Sequence, residues 1–558
     1  MGVLLDSLVA PRWVHHSLAR LQGEARADVV LVVDTGHWAD GRHSQPGARW
    51  RTLLYRLYAH VDRAWFRRDL DPLDPIDLHD LLVDDIDLLA CGARDAPGSL
   101  SPAECAQRVR AHNLDVLVAF TGAWDLRPFR DAAAHGVWFF GHGTDPLTSA
   151  GPLGFWEAVR GDPVAYTALR RCSSGSSDEA VLVETFANAS AVSMTRTNHD
   201  RLWQASSFVA RALAQAVDGR LDDRAPREAL IGAGEGRGPV EPTALRIAGA
   251  LVGLGARLLG RRLAARVSRT QWFLAYGTDP EAPTPHPAVG QLAHLVPPPD
   301  RFWADPFPVV RDGKRYLFFE EFLHALGKGH ISVIALDDGA GDREPTMVLT
   351  RDHHLAYPFV FVWQGAYFML PDSGADRAVD LYRCLEFPHR WTHEARLLEG
   401  LYAADPTLVQ VEETWWLFTS VSAGGTPPTD ELHLFWAESP LGPWTPHKAN
   451  PVKSDVRSAR PAGRLFRWRG DLYRPAQNCS GAYGRALTFQ KVVRLDVDGY
   501  AEVEVSALQP DWAPHLTRTH TYNASDGVIA IDGAIERPLF LASIRERIWA
   551  QREAAGPS

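Results

Sequence analysis

Lysine is scarce in this chain: only five of 58 basic residues are lysine, at positions 314, 328, 448, 453 and 491. The rest are arginine, which reads as codon composition and not as chemistry. Basic residues are also outnumbered by 68 acidic ones, for a net charge of −10. That balance argues against a general nucleic-acid binder, which shows a basic stripe. The five cysteines, Cys91, Cys105, Cys172, Cys384 and Cys479, are scattered, odd in number and form no CxxC pair. A disulfide framework and a zinc ribbon are thereby excluded. No uncharged apolar run approaches the roughly 18 residues of a membrane-spanning helix. The opening MGVLLDSLVAPRW has no basic stretch before its short, acid-interrupted apolar run, so it is not a signal peptide. The expectation is a soluble, cytoplasmic chain. The pairs His15-His16 and His353-His354 have no metal-ligand spacing, and no metal is expected. GAGEGRG at 232–238 follows no strand and is no dinucleotide fingerprint.

What is present divides into regions. At 558 residues the chain is long enough for two or three domains. Residues 1–218 alternate apolar strands (3–7, 29–33, 114–120, 136–141) with helix-like runs, beginning with one from Pro11 to Leu21. Such alternation predicts an α/β sheet with crossover helices and a ligand site beyond the carboxyl ends of the strands. Residues 219–268 hold a Gly/Pro/charge-rich linker and then RIAGALVGLGARLLGRRLAARV (246–267). That run reads as one helix with a small-residue and leucine face and an arginine face. It is open to two readings, a packing helix or a membrane-surface helix. Residues 269–540 are all-β, rich in Trp, Tyr and Phe, with a helical tail expected at 541–558.

The all-β region repeats. Segments opening at Pro306, Pro358, Pro406 and Pro461 are spaced 52, 48 and 55 residues apart, and a fifth, weaker copy covers 519–534. Units of that length with several strands each predict a five-bladed β-propeller. The residues that open the repeats then meet at one end of the axis: Asp305, Tyr357, Asp405, Arg460 and Asn523. Two carboxylates, a phenol and a guanidinium converging there read as a polar pocket. The alternative is that Asp-Pro only makes the turn into each strand. Trp415-Trp416 and the other aromatics read chiefly as core between blades.

The motifs Trp303–Phe307 (WADPF), Tyr357–Phe361 (YPFVF), Ala404–Leu408 (ADPTL), Ser458–Gly463 (SARPAG) and Arg474–Ser480 (RPAQNCS) resemble the five-bladed propellers of certain glycoside hydrolases. They resemble still more the propeller attached to some glycosyltransferases acting on inositol phosphorylceramide. The resemblance implies Asp305 and Asp405 as catalytic carboxylates, and the funnel reading adds Tyr357, Arg460, Asn523 and Arg474 as substrate-binding residues. A glutamic acid in a later blade, which hydrolysis would require, is not evident. Glu320, Glu321 and Asp372, at second-strand ends, are weak substitutes.

Residues 114–186 resemble the formyltransferase fold of methionyl-tRNA formyltransferases. That resemblance implies proton handling by His142 and Asp178, 36 residues apart, a Gly161-Asp162 turn, and 10-formyltetrahydrofolate as donor. Phe140 stands where the family has the asparagine that polarises the oxyanion, which speaks against that cofactor. His199, with Asn198 and Asp200, precedes a packing helix. The whole chain resembles bacterial formyltransferase-family proteins that join the two modules. The expected architecture is an α/β formyltransferase-like domain plus an all-β five-bladed β-propeller. Three functions stay open. One is a bacterial enzyme acting on a polar, sugar-bearing small molecule by hydrolysis or group transfer in the propeller funnel. The second is an N-formyl or acyl transferase with the propeller as recognition module. The third is a binding protein with two degenerate sites. Oligomeric state is not legible.

Overall fold

The computed structural model describes residues 1–23, 27–35, 49–81, 86–91, 100–120, 126–143, 153–173, 179–219, 244–337, 344–422 and 426–539. Asp178, the glycine-rich run 232–238 and the expected tail 541–558 lie outside them. The chain forms two compact units, one from Met1 to Ala256 and the other from Arg257 onward.

The N-terminal unit is α/β. Its strands are β1 (Gly2–Leu5), β2 (Val9–Pro11), β3 (Leu31–Asp34), β4 (Pro75–Asp77), β5 (Asp87–Ala90), β6 (Leu117–Ala119), β7 (Val137–His142), β8 (Val164–Cys172) and β9 (Ala180–Asn188). The described helices of the chain are α1 (Arg12–Gly23), α2 (Arg49–Phe66), α3 (Pro102–Arg110), α4 (Phe155–Arg160), α5 (Met194–Ala205), α6 (Phe208–Val217) and α7 (Ala244–Val267). Seven strands form one sheet in the order β5-β3-β1-β6-β7-β8-β9. The first five run parallel, and β8 lies antiparallel to both its neighbours. The short apolar runs of the sequence become its central strands because both faces are covered. Val3 and Leu5 pack with Trp13, Leu18 and Phe208 on one side, and Leu4 packs with Val109 and Phe129 on the other. Local signals set the helix ends. Ser101 and Glu104 close a reciprocal capping box on α3, with Pro102 in its first turn.

Two sequence expectations change here. Cys91 and Cys105 form a disulfide, while Cys172, Cys384 and Cys479 are free. Spacing alone does not display this pair, because it joins the end of β5 to α3 across the sheet edge. Disulfides are rare in reducing compartments, so this pair does not support the cytoplasmic expectation. Among the described residues no helix is long and apolar enough to cross a membrane.

The second unit is the five-bladed propeller. Its first blade holds β12 (Arg301–Arg311), β13 (Lys314–Leu323), β14 (Lys328–Ala335) and β15 (Thr346–Leu349). The second holds β16 (Ala356–Trp363), β17 (Ala366–Asp372), β18 (Ala378–Glu386) and β19 (Arg390–Glu399). The third holds β20 (Tyr402–Val411), β21 (Thr414–Ser422), β22 (Glu431–Ala437), β23 (Thr445–Pro446) and β24 (Lys453–Ser454). The fourth holds β25 (Phe466–Trp468), β26 (Asp471–Asn478), β27 (Ala486–Asp496) and β28 (Gly499–Leu508). The fifth joins both ends of the unit. In it β10 (Ser268–Thr278) and β11 (Ala293–Leu295) pair with β29 (Leu516–Arg518), β30 (Tyr522–Ser525) and β31 (Val528–Pro538). The long β10–β31 ladder closes the ring by joining the first and last strands of the unit in one blade.

Aromatic cores fill the seams between blades. Phe307, Tyr357, Phe359, Phe361 and Trp415 share one cluster, and Tyr473, Phe489 and Tyr522 share another. At the seam of blades four and five the Tyr522 amide donates to the Ala462 carbonyl. The chain passes at Gly463 with φ +134°, and a Cβ there would stand 2.0 Å from the Tyr522 carbonyl oxygen. The obstacle is backbone, so no side chain can swing aside. Gly463→Ala is expected to cost about 2–4 kcal/mol in urea unfolding. An unchanged midpoint would show that the seam does not depend on that close approach.

Candidate functional site

The innermost strands of the first three blades break register at one equivalent place: Ala304/Phe307, Ala356/Phe359 and Ala404/Thr407. The residues inside these bulges are Asp305, Tyr357 and Asp405, with φ of +53°, +48° and +51°. Non-glycine residues rarely adopt that left-handed conformation, and it is found where structure or function over-determines it. A bulge also takes the residue's amide out of the ladder. In each case a carboxylate receives that amide. Asp305 donates to Asp532 Oδ2 at 3.1 Å, Tyr357 to Asp305 Oδ2 at 3.2 Å, and Asp405 to Asp372 Oδ2 at 3.3 Å. The acceptor comes from the preceding blade each time, so carboxylates are drawn inward around the axis.

The floor of this funnel is charged and buried. Asp305 Oδ1 accepts from Thr521 Oγ1 at 2.6 Å and faces His520 Nε2 at 3.7 Å. His520 stacks on Trp272, and its Nδ1 lies 2.6 Å from Asp532 Oδ2. Burial raises the Asp305 carboxyl, against the pull of His520. Asp405 is held by Arg460 in a fork, Nε at 2.6 Å and Nη2 at 3.1 Å, and also accepts from Gln477 Nε2 at 2.8 Å. Burial pushes Asp405 up to about 7 even with that guanidinium beside it. Arg460 also donates to the Pro428 carbonyl and lies over the half-exposed Tyr483 ring.

Glu320 adds what the sequence reading ranked low. It sits on β13, buried, and burial raises its carboxyl well above the usual range. The charges of Asp305, Asp372, Asp405 and Asp532 push it the same way. Its neighbour Glu321 points to the opposite face of the strand. There Arg301, Trp303, His330 and Ser332 all hydrogen-bond to it. Burial alone would lift Glu321, but those bonds hold it at about 2. Of two adjacent glutamates, one is therefore a stable carboxylate remote from the funnel and the other is an acid within it. His354 lies 3.5 Å from Glu320 through Nε2, while its Nδ1 accepts the Gly329 amide at 2.8 Å. Its side chain is 39% exposed, which sets it toward solvent above the buried acid.

The remaining predicted groups are placed as follows. Tyr357 is fully buried, and its hydroxyl meets Thr407 Oγ1 at 2.8 Å and accepts the Gly463 amide at 2.7 Å. Asn523 bridges blades, donating to the Pro306 carbonyl and accepting from the Arg464 amide. Arg474 donates to Glu502 and to the Ser458 and Ala459 carbonyls, with no exposed side-chain surface. Burial and Arg474 act oppositely on Glu502, and the ion pair prevails, leaving it at about 2. These three hold blades together with every polar group engaged by protein. Asp305, Asp405, Arg460 and Glu320 surround the axis. Asp305, His520 and Asp532 offer ligand atoms within 4.8 Å of one another, a set able to hold a cation.

In the α/β unit His142 ends β7, opposite Thr167 in the ladder, with Nδ1 3.0 Å from Thr167 Oγ1. Burial, then the charges of Arg201 and Arg170, lower its pKa to about 3, so the ring is neutral. Arg201 is itself buried, bonded to Glu157 and Asn198. His199 is buried against Asp200, with Arg68 alongside. Phe140 packs against Trp13, Phe120 and Phe208 and has no hydrogen-bonding group to offer.

A family model described as "Glucosamine inositolphosphorylceramide transferase 1, N-terminal" matches residues 288–518. The chain is 40% identical over 212 residues to a glucosamine inositolphosphorylceramide transferase 1 of Oryza sativa subsp. japonica. It is 37% identical over 211 residues to the Arabidopsis thaliana protein of the same name. Each alignment takes in 37% of this chain and 28% of the relative, so the chain spans little more than a quarter of these relatives' length. Among solved structures, a family 117 glycoside hydrolase of Zobellia galactanivorans aligns at TM-score 0.32 and 16% identity. That alignment covers 48% of this chain and 90% of the other. An exo-β-1,3-galactanase of Clostridium thermocellum aligns at TM-score 0.32 and 13% identity, over 46% and 62% of the two chains.

A pH-dependent stability follows from Glu320. The folded chain keeps its proton at pH values where the unfolded chain has released it. The stability linked to that proton is complete below the unfolded value of 4.5 and is lost as pH rises toward the folded one. Glu320→Gln removes this titration. The melting temperature of wild type should fall more steeply than that of the variant as pH rises above about 5. Parallel profiles would show that Glu320 does not hold the proton.

Proposed function

We propose that the propeller funnel binds a polar, sugar-bearing small molecule and transfers or hydrolyses its glycosidic group. The observation that carries this is the pairing of unlike carboxyl groups in one buried place. Glu320 is driven to keep its proton, while Asp305 accepts hydrogen bonds from Thr521 and the Tyr357 amide and faces His520. Work on a glycosidic bond needs one carboxyl group as acid and another as carboxylate. Glu320 supplies the proton for the departing oxygen, and His354 stands at the solvent side to restore it. Asp305 is the carboxylate that takes a proton from the attacking hydroxyl or bears on the developing positive charge. Arg460, fixed by Asp405, holds positive charge at the same place for an anionic part of the substrate. Tyr483 gives a half-exposed ring on which a sugar face can stack. The name of the related plant proteins specifies a sugar transferase, which favours transfer over hydrolysis.

Asp305→Asn and Glu320→Gln should each lower turnover of a sugar donor by about 10²–10⁴. Activity is read by screening nucleotide sugars and aryl glycosides for release of the leaving group. Retention of wild-type rates in both variants, with the fold intact by circular dichroism, would remove the funnel from the chemistry.

The α/β unit is read as formyltransferase-like on residues 114–186 alone. The residues described there do not fit 10-formyltetrahydrofolate, because Phe140 is spent on apolar packing where an oxyanion donor would be needed. No formyl-transfer step is assigned to it. Calorimetric titration with a stable analogue of that folate should show no micromolar binding. Binding that weakens in His142→Ala would return acyl transfer to this unit.

A further inference from the structure

The first blade carries an aromatic row that the acid and base of the funnel do not use. On the face of β13 that bears Glu320, the next side chain toward the strand end is Phe322. Phe322 lies opposite Phe302 of the innermost strand, two register positions beyond the pair Ala304–Glu320. The two phenyl rings stack, with centroids 4.7 Å apart and planes 4° from parallel. His324 continues the row, 5.8 Å from Phe322 and 6.0 Å from Phe302. His354 closes its outer end, 5.9 Å from the Phe322 ring and 3.5 Å from Glu320.

The surroundings keep this row open and close to the acid. Lower on the same two strands, Phe307 and Phe318 form a pair of the same kind, and both are fully buried in the seam. Phe302, Phe322 and His324 are each partly exposed, at the end where the seam core has run out. Ala304, the innermost-strand partner of Glu320, presents only a methyl group on the axial side of that carboxyl. On the other side β14 passes at Gly329, opposite Phe322. A Cβ there would stand 2.7 Å from Glu320 Oε1 and 2.9 Å from His354 Cε1, so glycine is what lets the acid and the imidazole lie side by side next to the rings. Single exposed apolar residues need no explanation, but a contiguous aromatic row at the mouth of a polar funnel marks a binding surface.

Granted the glycosidic reading of the funnel, on which this rests, we infer that Phe302, Phe322 and His324 form the platform for the departing side of the substrate, a group that offers a ring with an apolar face: the C–H face of a second sugar, or an aryl ring. Glu320 protonates the departing oxygen, so the departing group lies beside Glu320, and Phe322 is its neighbour on that face. A flat apolar wall covers one face of a ring while the ring's polar edge stays turned to water. A small leaving group gains nothing from it. The platform sets affinity and specificity and touches no reacting atom.

The test uses the full chain in calorimetric titrations with matched p-nitrophenyl and methyl glycosides of glucose, galactose, mannose and xylose, in both anomers. In at least one pair the p-nitrophenyl glycoside should bind about tenfold tighter, the difference made by burying a ring. Phe322→Ala should cancel that preference and leave the affinity for the methyl glycoside unchanged, which also reports an intact funnel. Phe322→Leu keeps apolar volume and removes the ring; it should lower the preference too, and it serves if the alanine variant does not fold. No preference in any pair, or a preference that survives the substitution, would overturn the inference. Turnover is read on the same glycosides. A preference that depends on Phe322, without cleavage or transfer of any glycoside, would leave the platform standing and remove the catalytic reading. Cleavage with equal affinity for both members of each pair would do the reverse.

Discussion

The propeller depends on what happens to three amides. Each of the first three blades begins with a residue in a left-handed conformation, which costs on the order of 1–3 kcal/mol away from glycine and frees an N–H from the ladder. A buried N–H without an acceptor adds about 1–3 kcal/mol more. Carboxylates from the preceding blade take these amides: Asp532 for Asp305, Asp305 for Tyr357, Asp372 for Asp405. Acceptors with two oxygens are needed because each also bonds elsewhere. Asp532, for example, receives the His520 and Thr521 amides on its other oxygen. The scaffold thus requires acids on the axis before any substrate is considered.

Crowding those acids sets the chemistry. Charges that share a dry site cannot all be kept, so protons or cations must enter. Arg460 answers for Asp405 and His520 for Asp305 and Asp532, while Asp372 is engaged by the amides of Asp405 and Gly374. Glu320 has His354 at its solvent side; burial acts on it most strongly, and next come the charges of Asp305, Asp372, Asp405 and Asp532. The proton therefore settles there. Which carboxyl group holds its proton most firmly is set not by residue type but by which carboxylates the scaffold has already provided for.

Much of this was legible in the sequence, and the reason is specific. The opener is followed by proline in blades one to four, and proline punctuates a sequence visibly, so Asp305, Tyr357, Asp405 and Arg460 could be aligned from spacing. Alignment located their backbones correctly but not the fate of their side chains. Tyr357 and Asn523 reach across the seam and are consumed there, because a blade opener can bond to a neighbour as readily as to a ligand. Arg474 looked available only because its partner Glu502 is 28 residues away on another strand. Glu320 was ranked low beside Glu321 because alternation along a strand cannot say which of two adjacent acids faces the axis. The ladder decides that, and the ladder is long-range. His520 and Asp532 fall in the weakest repeat, where the chain closes on β10 and the periodic signal fades. The Cys91–Cys105 pair was illegible for the same reason: it depends on which helix covers the sheet edge.

The arginines show the limit of averages. A net charge of −10 argues against a basic surface for the chain as a whole, yet α7 holds five positive charges and no negative one. Composition dilutes such a segment over 558 residues. Its two sequence readings, packing and membrane surface, differ in where the apolar residues face. Ile247 and Leu254 serve packing, and Leu245, Val252, Leu259, Leu263 and Val267 do not. A helix that only joined one element to another would have polar residues at those outward positions, because exposed leucine and valine contribute nothing to packing and invite association. A helix meeting nucleic acid would place arginine, not leucine, at the centre of its outward face.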